Sequence, residues 1–315
     1  MYTEDADRDG RTDAAQEQSG AGSDAAAEQA LYKTIVVAFD GSEFSRSALR
    51  EASFRARRCG GKVILVHAVY FDEEEFGSAP EQLEKRFDLG RSLCFQASED
   101  ASSHYGCAVE YVICQGDPPE VITDIAREKQ ADLIALGTYG RKGLRRMLMG
   151  SVTARTVLDA PCDVMVVRRP CSDCTDSYES VLVPFDGSAS GRKALARACA
   201  LAKSDGADVT VLYVIPRYEE MVGFLRTGSI RNSLHREAER IMEEARKEAS
   251  SSGVPVATMV REGAAPEGIV EAARMLKSQL IVMGSHGWRG VDRALMGSTA
   301  ERVIMNAPCP LLVVK

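Results

Sequence analysis

The second half of this chain repeats the first, and that duplication limits what it can fold into more than any other feature. Val181–Ser188 (VLVPFDGS) answers Val36–Ser42 (VVAFDGS), Gly263-Ala-Ala-Pro266 answers Gly116-Asp-Pro-Pro119, and Ala307–Val314 (APCPLLVV) answers Ala160–Val167 (APCDVMVV). The offset is 146 between Asp40 and Asp186 and 147 between Gly137 and Gly284, so one residue has been gained between those points. With 315 residues the chain has length for about two ordinary domains, and each half can bury its own core.

Within one unit, apolar runs alternate with helix-like segments. Lys33–Phe39 reads as a buried strand ending at Asp40-Gly41-Ser42, and Ser42 or Ser45 then opens a helix running to about Arg58. Further strands are expected at Lys62–Val69, Ala108–Cys114, Asp132–Leu136 and Asp163–Val167, with helices at about Glu81–His104, from Pro118 onward, and over Val152–Leu158. Proline fits the first turn of a helix, where its missing N–H costs least. Such alternation makes an α/β fold with a parallel sheet, helices on both faces and right-handed crossovers. If the strand order in each half is 3-2-1-4-5, the winding reverses between strands 1 and 4, and ligands bind at such reversals. Those strands end in Asp40 and Gly137, or in Asp186 and Gly284, which brings an acid and a glycine loop around one cleft.

The glycine loop is Gly137-Thr-Tyr-Gly140, nine residues, then Gly150-Ser151; it returns as Gly284-Ser-His-Gly287, nine residues, then Gly297-Ser298. Glycine lets backbone N–H groups approach an oxyanion, and a helix N-terminus behind them favours negative charge. Ser151 stands at the expected N-cap. The competing reading is an ordinary turn and cap, and for Asp40 and Asp186 an Asp-Gly turn; turn and ligand contact are compatible. No G-x-x-x-x-G-K-[ST] stretch is present, which excludes a P-loop enzyme.

A catalytic set is hard to assemble. Of the histidines, His67 reads as a satisfied core residue, and His286 in the second loop has Tyr139 as its counterpart, so neither is a base shared by both halves. No catalytic or metal-ligating residues are assigned. Arg141, Lys142, Arg145 and Arg146, with Arg289 and Arg293 in the copy, read equally as a solvated face or as phosphate contacts. Cys171-Ser-Asp-Cys174 is a weak metal or redox signal, and the cysteines inside apolar runs (Cys94, Cys107, Cys114, Cys199) behave as small hydrophobes. The net charge is −7, and residues 1–30 hold eight acids against two arginines, so the remainder is close to neutral and offers no nucleic-acid surface. That tail has few large apolar side chains and is expected to be disordered. Neither a membrane span nor a signal peptide is expected, which points to the cytoplasm.

With these motifs together, the chain resembles the universal stress protein family in its tandem form, over about residues 32–315. The resemblance implies two flavodoxin-like (adenine nucleotide alpha hydrolase-like) domains, each with a five-stranded parallel sheet of order 3-2-1-4-5. It implies ATP in each domain, with Mg2+, and pairing of the domains through their last strands. Carried over by position, Asp40 and Asp186 would meet the ribose or metal side, and the backbone at Ala68 and Val214 the adenine. Gly137, Gly140, Gly150, Ser151 and Val152 would hold the phosphates in one half, and Gly284, Gly287, Gly297, Ser298 and Thr299 in the other. Ala38 stands where the copy has Pro184, and Tyr139 where the family has histidine. The expected division is a tail at 1–30, domains at 31–168 and 180–315, and a linker at 169–179.

The expected function is an ATP-binding stress-response or regulatory protein, in which binding or slow hydrolysis switches conformation or protein partner. A phosphotransferase or hydrolase using Ser151 or Ser298, and a nucleotide-independent scaffold, are the alternatives. The partner is not legible, and a homodimer beyond the intramolecular pairing is left open.

Overall fold

The computed structural model describes residues 31–70, 80–138, 149–168, 177–216, 228–285 and 297–315. The acidic tail and the Cys171/Cys174 pair lie outside the described residues. The first half contributes β1 (Thr34–Ala38), α1 (Glu43–Cys59), β2 (Lys62–Val69), α2 (Pro80–Tyr105), β3 (Ala108–Gln115), α3 (Pro118–Glu128), β4 (Leu133–Gly137), α4 (Ser151–Asp159) and β5 (Asp163–Val167). The second repeats them as β6 (Ser180–Pro184), α5 (Ala189–Asp205), β7 (Asp208–Ile215), α6 (Gly228–Ser251), β8 (Val256–Glu262), α7 (Ala265–Met275), β9 (Leu280–Gly284), α8 (Ser298–Asn306) and β10 (Leu311–Val314).

The first helix of each half shows how local sequence sets the element. Ser42 caps α1, its Oγ accepting from Ser45 N at 3.2 Å, and Gly60 ends the helix in the left-handed region at φ 60°. Ser188 and Gly206 do the same for α5, with Ser188 Oγ accepting from Gly191 N at 3.0 Å. Ala48, Ala52 and Ala56 in α1, and Ala194, Ala198 and Ala202 in α5, recur every fourth residue and are buried. Their small side chains form the stripe that lies flat on the sheet.

Each half has the expected strand order, and the two halves join into a single ten-stranded sheet, β3-β2-β1-β4-β5-β10-β9-β6-β7-β8. Pairing is parallel within each half. At the seam β5 and β10 run antiparallel, with Val166 opposite Leu311 and Val164 opposite Val313. Both strands are buried along their whole length, so the seam is interior sheet. One apolar layer, under α1, α2, α5 and α6, continues across it through Met165 and Leu312; the other, under α3, α4, α7 and α8, continues through Val164 and Val313. The halves are related by an approximate two-fold axis normal to the sheet.

Two polar clusters lie on this seam. Arg55 of α1 forms a bidentate pair with Asp205 at the end of α5, at 2.8 and 2.7 Å, with side-chain exposures of 5% and 0%. Arg58 Nε reaches the same carboxylate at 3.2 Å, and Tyr178 N donates to it at 3.1 Å. In the other cluster Asp163, at the start of β5, accepts from Tyr32 Oη at 2.8 Å, pairs with Arg197 Nε at 2.9 Å and accepts from Lys315 N at 3.2 Å. Tyr32 and Tyr178 occupy equivalent positions, and each ring lies beneath an arginine of the opposite half, Arg197 at 5.5 Å and Arg55 at 5.0 Å. Tyr178 falls in the stretch expected to be linker, yet it is buried and its hydroxyl donates to Glu51 Oε2 at 3.0 Å. Burial pushes both phenols well above the usual tyrosine range, so their hydroxyls stay protonated donors.

The cysteines among the described residues are free thiols, with Cys94, Cys107 and Cys199 buried and Cys114 half-buried. Burial pushes Cys199 up to about 11 and Cys162 up to about 12, which leaves them unreactive packing groups. No helix among the described residues is long and apolar enough to cross a membrane.

Asp205→Ala strands the Arg55 guanidinium without its carboxylate. A loss of about 3–5 kcal/mol is expected in urea unfolding. Glu51 is held above its ordinary 4.5 chiefly by burial, so the fold favours its neutral form. The stability it contributes is therefore complete below pH 4.5 and lost as pH rises through the folded value. Glu51→Gln keeps an acceptor for Tyr178 and is expected to flatten that part of the profile when unfolding is followed from about pH 4 to about pH 8.

Candidate functional site

Of the expected residues, Asp40, Gly137 and Gly150 lie where β1 and β4 end. β1 pairs with β4 through Val37↔Ala135, and continuing that register sets Phe39 beside Gly137 and Asp40 beside Thr138. Asp40 Oδ1 accepts from Ser42 N at 3.0 Å, and Asp186 Oδ1 accepts from Ser188 N at the same distance. Both aspartates are thus Asp-Gly turn residues, half-buried at the mouth of the crevice.

Gly137 and Gly284 have a packing reason that the sequence does not display. A Cβ on Gly137 would lie 2.5 Å from Phe44 Cβ and 2.9 Å from the Phe44 carbonyl carbon, and one on Gly284 would lie 2.8 Å from the Ser190 carbonyl carbon. The first turns of α1 and α5 press directly on these strand ends. The bare backbone brings the Asp-Gly-Ser turn against the β4 or β9 terminus.

Gly150 N donates to Thr138 O at 3.2 Å and Gly297 N to Ser285 O at 3.4 Å, which draws both ends of each glycine loop to a common neck. Thr153 Oγ1 adds a bond to Gly137 O at 2.9 Å in the first half; its counterpart in the copy is Ala300. Ser151 is not the N-cap. Gly150 and Gly297 hold that position without a side-chain bond, and Ser151 and Ser298 are the first helical residues. The first backbone bonds of α4 and α8 come from Ala154 N and Glu301 N. The preceding amides, at Ser151, Val152 and Thr153 and at Ser298, Thr299 and Ala300, have no intrahelical partner. Ser151 and Ser298 are exposed, and Val152 and Thr299 half-buried.

The strand-2 positions lie at the same end of the sheet. Phe39 N donates to Val66 O at 2.9 Å, so Val66 aims its backbone groups at β1. Ala68, two residues on, aims the same way, beyond the last β1 pair at Ala38↔Val66. Phe185 N to Leu212 O at 2.9 Å sets Val214 in the same relation to β6. His67 is half-buried and satisfied, its Nδ1 2.7 Å from Phe39 O.

The two crevices differ beside the turn. Arg46 bonds Gly41 O at 3.3 Å and lies over the Phe39 ring. Its equivalent Arg192 is held by Glu244 and Glu248 of α6, a pairing that helix spacing alone would not assign. Arg155 of α4 pairs with Asp117 and Glu120, and Arg302 of α8 with Glu267, fastening each loop helix to its neighbour. Gly140, Gly287, Tyr139, His286 and the loop arginines and lysine lie outside the described residues. Among the described residues no group of three or more His, Cys, Asp or Glu could hold a metal ion.

The model of the universal stress protein family matches residues 31–168 and again 177–315. A universal stress protein of Methanocaldococcus jannaschii is 40% identical over 141 residues, covering 44% of this chain and 82% of that protein. One from Mycobacterium tuberculosis is 26% identical over 291 residues, covering 89% of this chain and 96% of that one. The crystal structure of a universal stress protein from Archaeoglobus fulgidus superimposes with a TM-score of 0.70 at 20% identity, over 91% of this chain and 97% of that one. That likeness shows the shared two-unit fold.

Gly137→Ala forces a Cβ into the backbone of α1. A loss of about 1–3 kcal/mol is expected from the overpacking, read as a lowered urea midpoint.

Proposed function

The chain belongs to the universal stress protein family, and on that premise we propose that it is an ATP-binding regulatory protein with one nucleotide site in each half. The observation that carries the reading is a convergence found twice. Orphan amides at a helix start, a half-buried aspartate, and a strand-2 backbone running past its neighbour lie at the ends of neighbouring strands in each half, which supports a shared cleft. Amides without side chains in front of them suit phosphate oxygens. Asp40 and Asp186 suit a ribose hydroxyl, and the main chain at Ala68 and Val214 suits an adenine edge. Gly137, Gly140, Gly150, Ser151 and Val152, with Gly284, Gly287, Gly297, Ser298 and Thr299, are the phosphate side.

The donor set also bears on magnesium. With no cluster of ligating side chains among the described residues, an ion would be held mainly by phosphate oxygens and water, with one aspartate at most from the protein. The protein's own part is to bind, orient and exclude water. Ser151 and Ser298 are exposed first-turn residues, and the sequence offers no base common to both halves, since His286 is answered by Tyr139. This favours a binder that changes conformation or partner, in a stress response in the cytoplasm, over a phosphotransferase.

Ser151→Asp with Ser298→Asp tests the reading without endangering the fold, because a carboxylate in the first turn stabilises a helix while repelling phosphate. Calorimetry with Mg·ATP is expected to show two sites in the wild type and at least about a tenfold loss of affinity in the double variant, with an unchanged melting temperature. Undiminished affinity defeats the proposal. Phosphate release at several turnovers per second, abolished by Ser→Ala, supports the enzyme instead.

A further inference from the structure

The seam between the halves is not symmetric in its charges, although the repeat is symmetric in its backbone. By the repeat offset, Glu51 of α1 corresponds to Arg197 of α5, Arg55 to Leu201, Cys59 to Asp205, and Asp163 to Pro310. Across the two-fold axis, position 51 of one half faces position 163 of the other, and position 55 faces position 59. The structure uses one member of each relation: Arg197 on Asp163, and Arg55 on Asp205. The mirror members, Glu51 beside Pro310 and Leu201 beside Cys59, carry no opposed charges. Glu51 is close enough to Cys309, the residue before Pro310, to help raise its thiol.

We propose that this seam is a coded recognition surface, on which each half accepts the other half and rejects a copy of itself. Two first halves would set a second acid, Glu51, in place of Arg197 beside Asp163 at both ends of the axis, at positions that are 5% and 4% exposed, so that each Asp163 would lose its arginine. They would also leave each Arg55 facing Cys59 without a carboxylate. Two second halves would leave Asp205, fully buried here, against Leu201, and Arg197 against Pro310. Buried charges without partners cost several kcal/mol each, whereas the matched pairs roughly offset their own desolvation. The ion pairs therefore supply choice of partner more than strength, which comes from the apolar ladder of β5 and β10. The coding is independent of nucleotide binding. It restricts this face to its own chain, or to an exchanged half of a second copy, and the covalent link favours the former through effective concentration.

The test inserts a protease site between Arg168 and Ser177 of the full chain, cleaves it, unfolds the halves together in urea and refolds them as a mixture. Native mass spectrometry is expected to find pairs of unlike halves outnumbering like pairs by more than about tenfold. A statistical mixture of like and unlike pairs overturns the proposal. Glu51→Arg with Cys59→Asp gives the first half both the arginine that Arg197 and the carboxylate that Asp205 supply in the second, and the same protocol is expected to yield first-half homodimers. Their absence also counts against the code. Should a cleaved protein fail to refold, co-expressing the halves as separately tagged chains gives the same readout: each tag is expected to capture the unlike half, and capture of like halves overturns the idea.

Discussion

The structure depends on the antiparallel pairing of β5 with β10. Each half ends its sheet on a strand with no polar face: Asp163–Val167 is buried throughout, and so is Leu311–Val314. Such a strand is not viable as an exposed edge, since its unpaired backbone and apolar sides would both meet water. The duplication supplies the partner. Two short buried strands close on each other, and ten strands form one interior ladder whose free edges are β3 and β8, the most exposed strands of their halves. Everything at the crevices is built outward from this centre.

Most of the fold was legible because periodicity, capping residues and the repeat all agreed. The Asp-Gly-Ser turns and the Pro-Pro helix start at 118 followed from local chemistry, which needs no knowledge of distant contacts, while the strand order came with the family resemblance. What stayed hidden depends on contacts distant in sequence. Tyr178 read as the end of a linker because what marks its burial is far away in sequence: its hydroxyl and ring partners, Glu51 and Arg55, come from the other half. Asp205 and Asp163 carry no local mark of their burial for the same reason, since their arginine partners, Arg55 and Arg197, also come from the opposite half. Ser151 was misplaced by one residue, since serine at a helix start reads as a cap whether it stands before or inside the first turn, and here Gly150 takes the cap.

The candidate site shows how a single residue type can serve two constraints. Gly137 and Gly284 are where a phosphate loop would want bare backbone, yet the first turn of the neighbouring helix excludes a side chain there already. Close packing accounts for these two glycines without any ligand. The case for an anion site therefore rests on the next pieces along the chain, Gly150 and Gly297, whose backbone closes the loop neck and leaves the helix start uncapped by any side chain. Arg46 and Arg192 show the copies diverging at equivalent places: one guanidinium stays on the turn while two glutamates draw the other away.

Because β5 and β10 point in opposite directions, every strand of one half runs against every strand of the other, and the two crevices open at opposite rims of the sheet. A macromolecule docked over one rim has no view of the other. The full breadth of the ten-stranded slab stands between the two rims, and a body that meets both must reach around it.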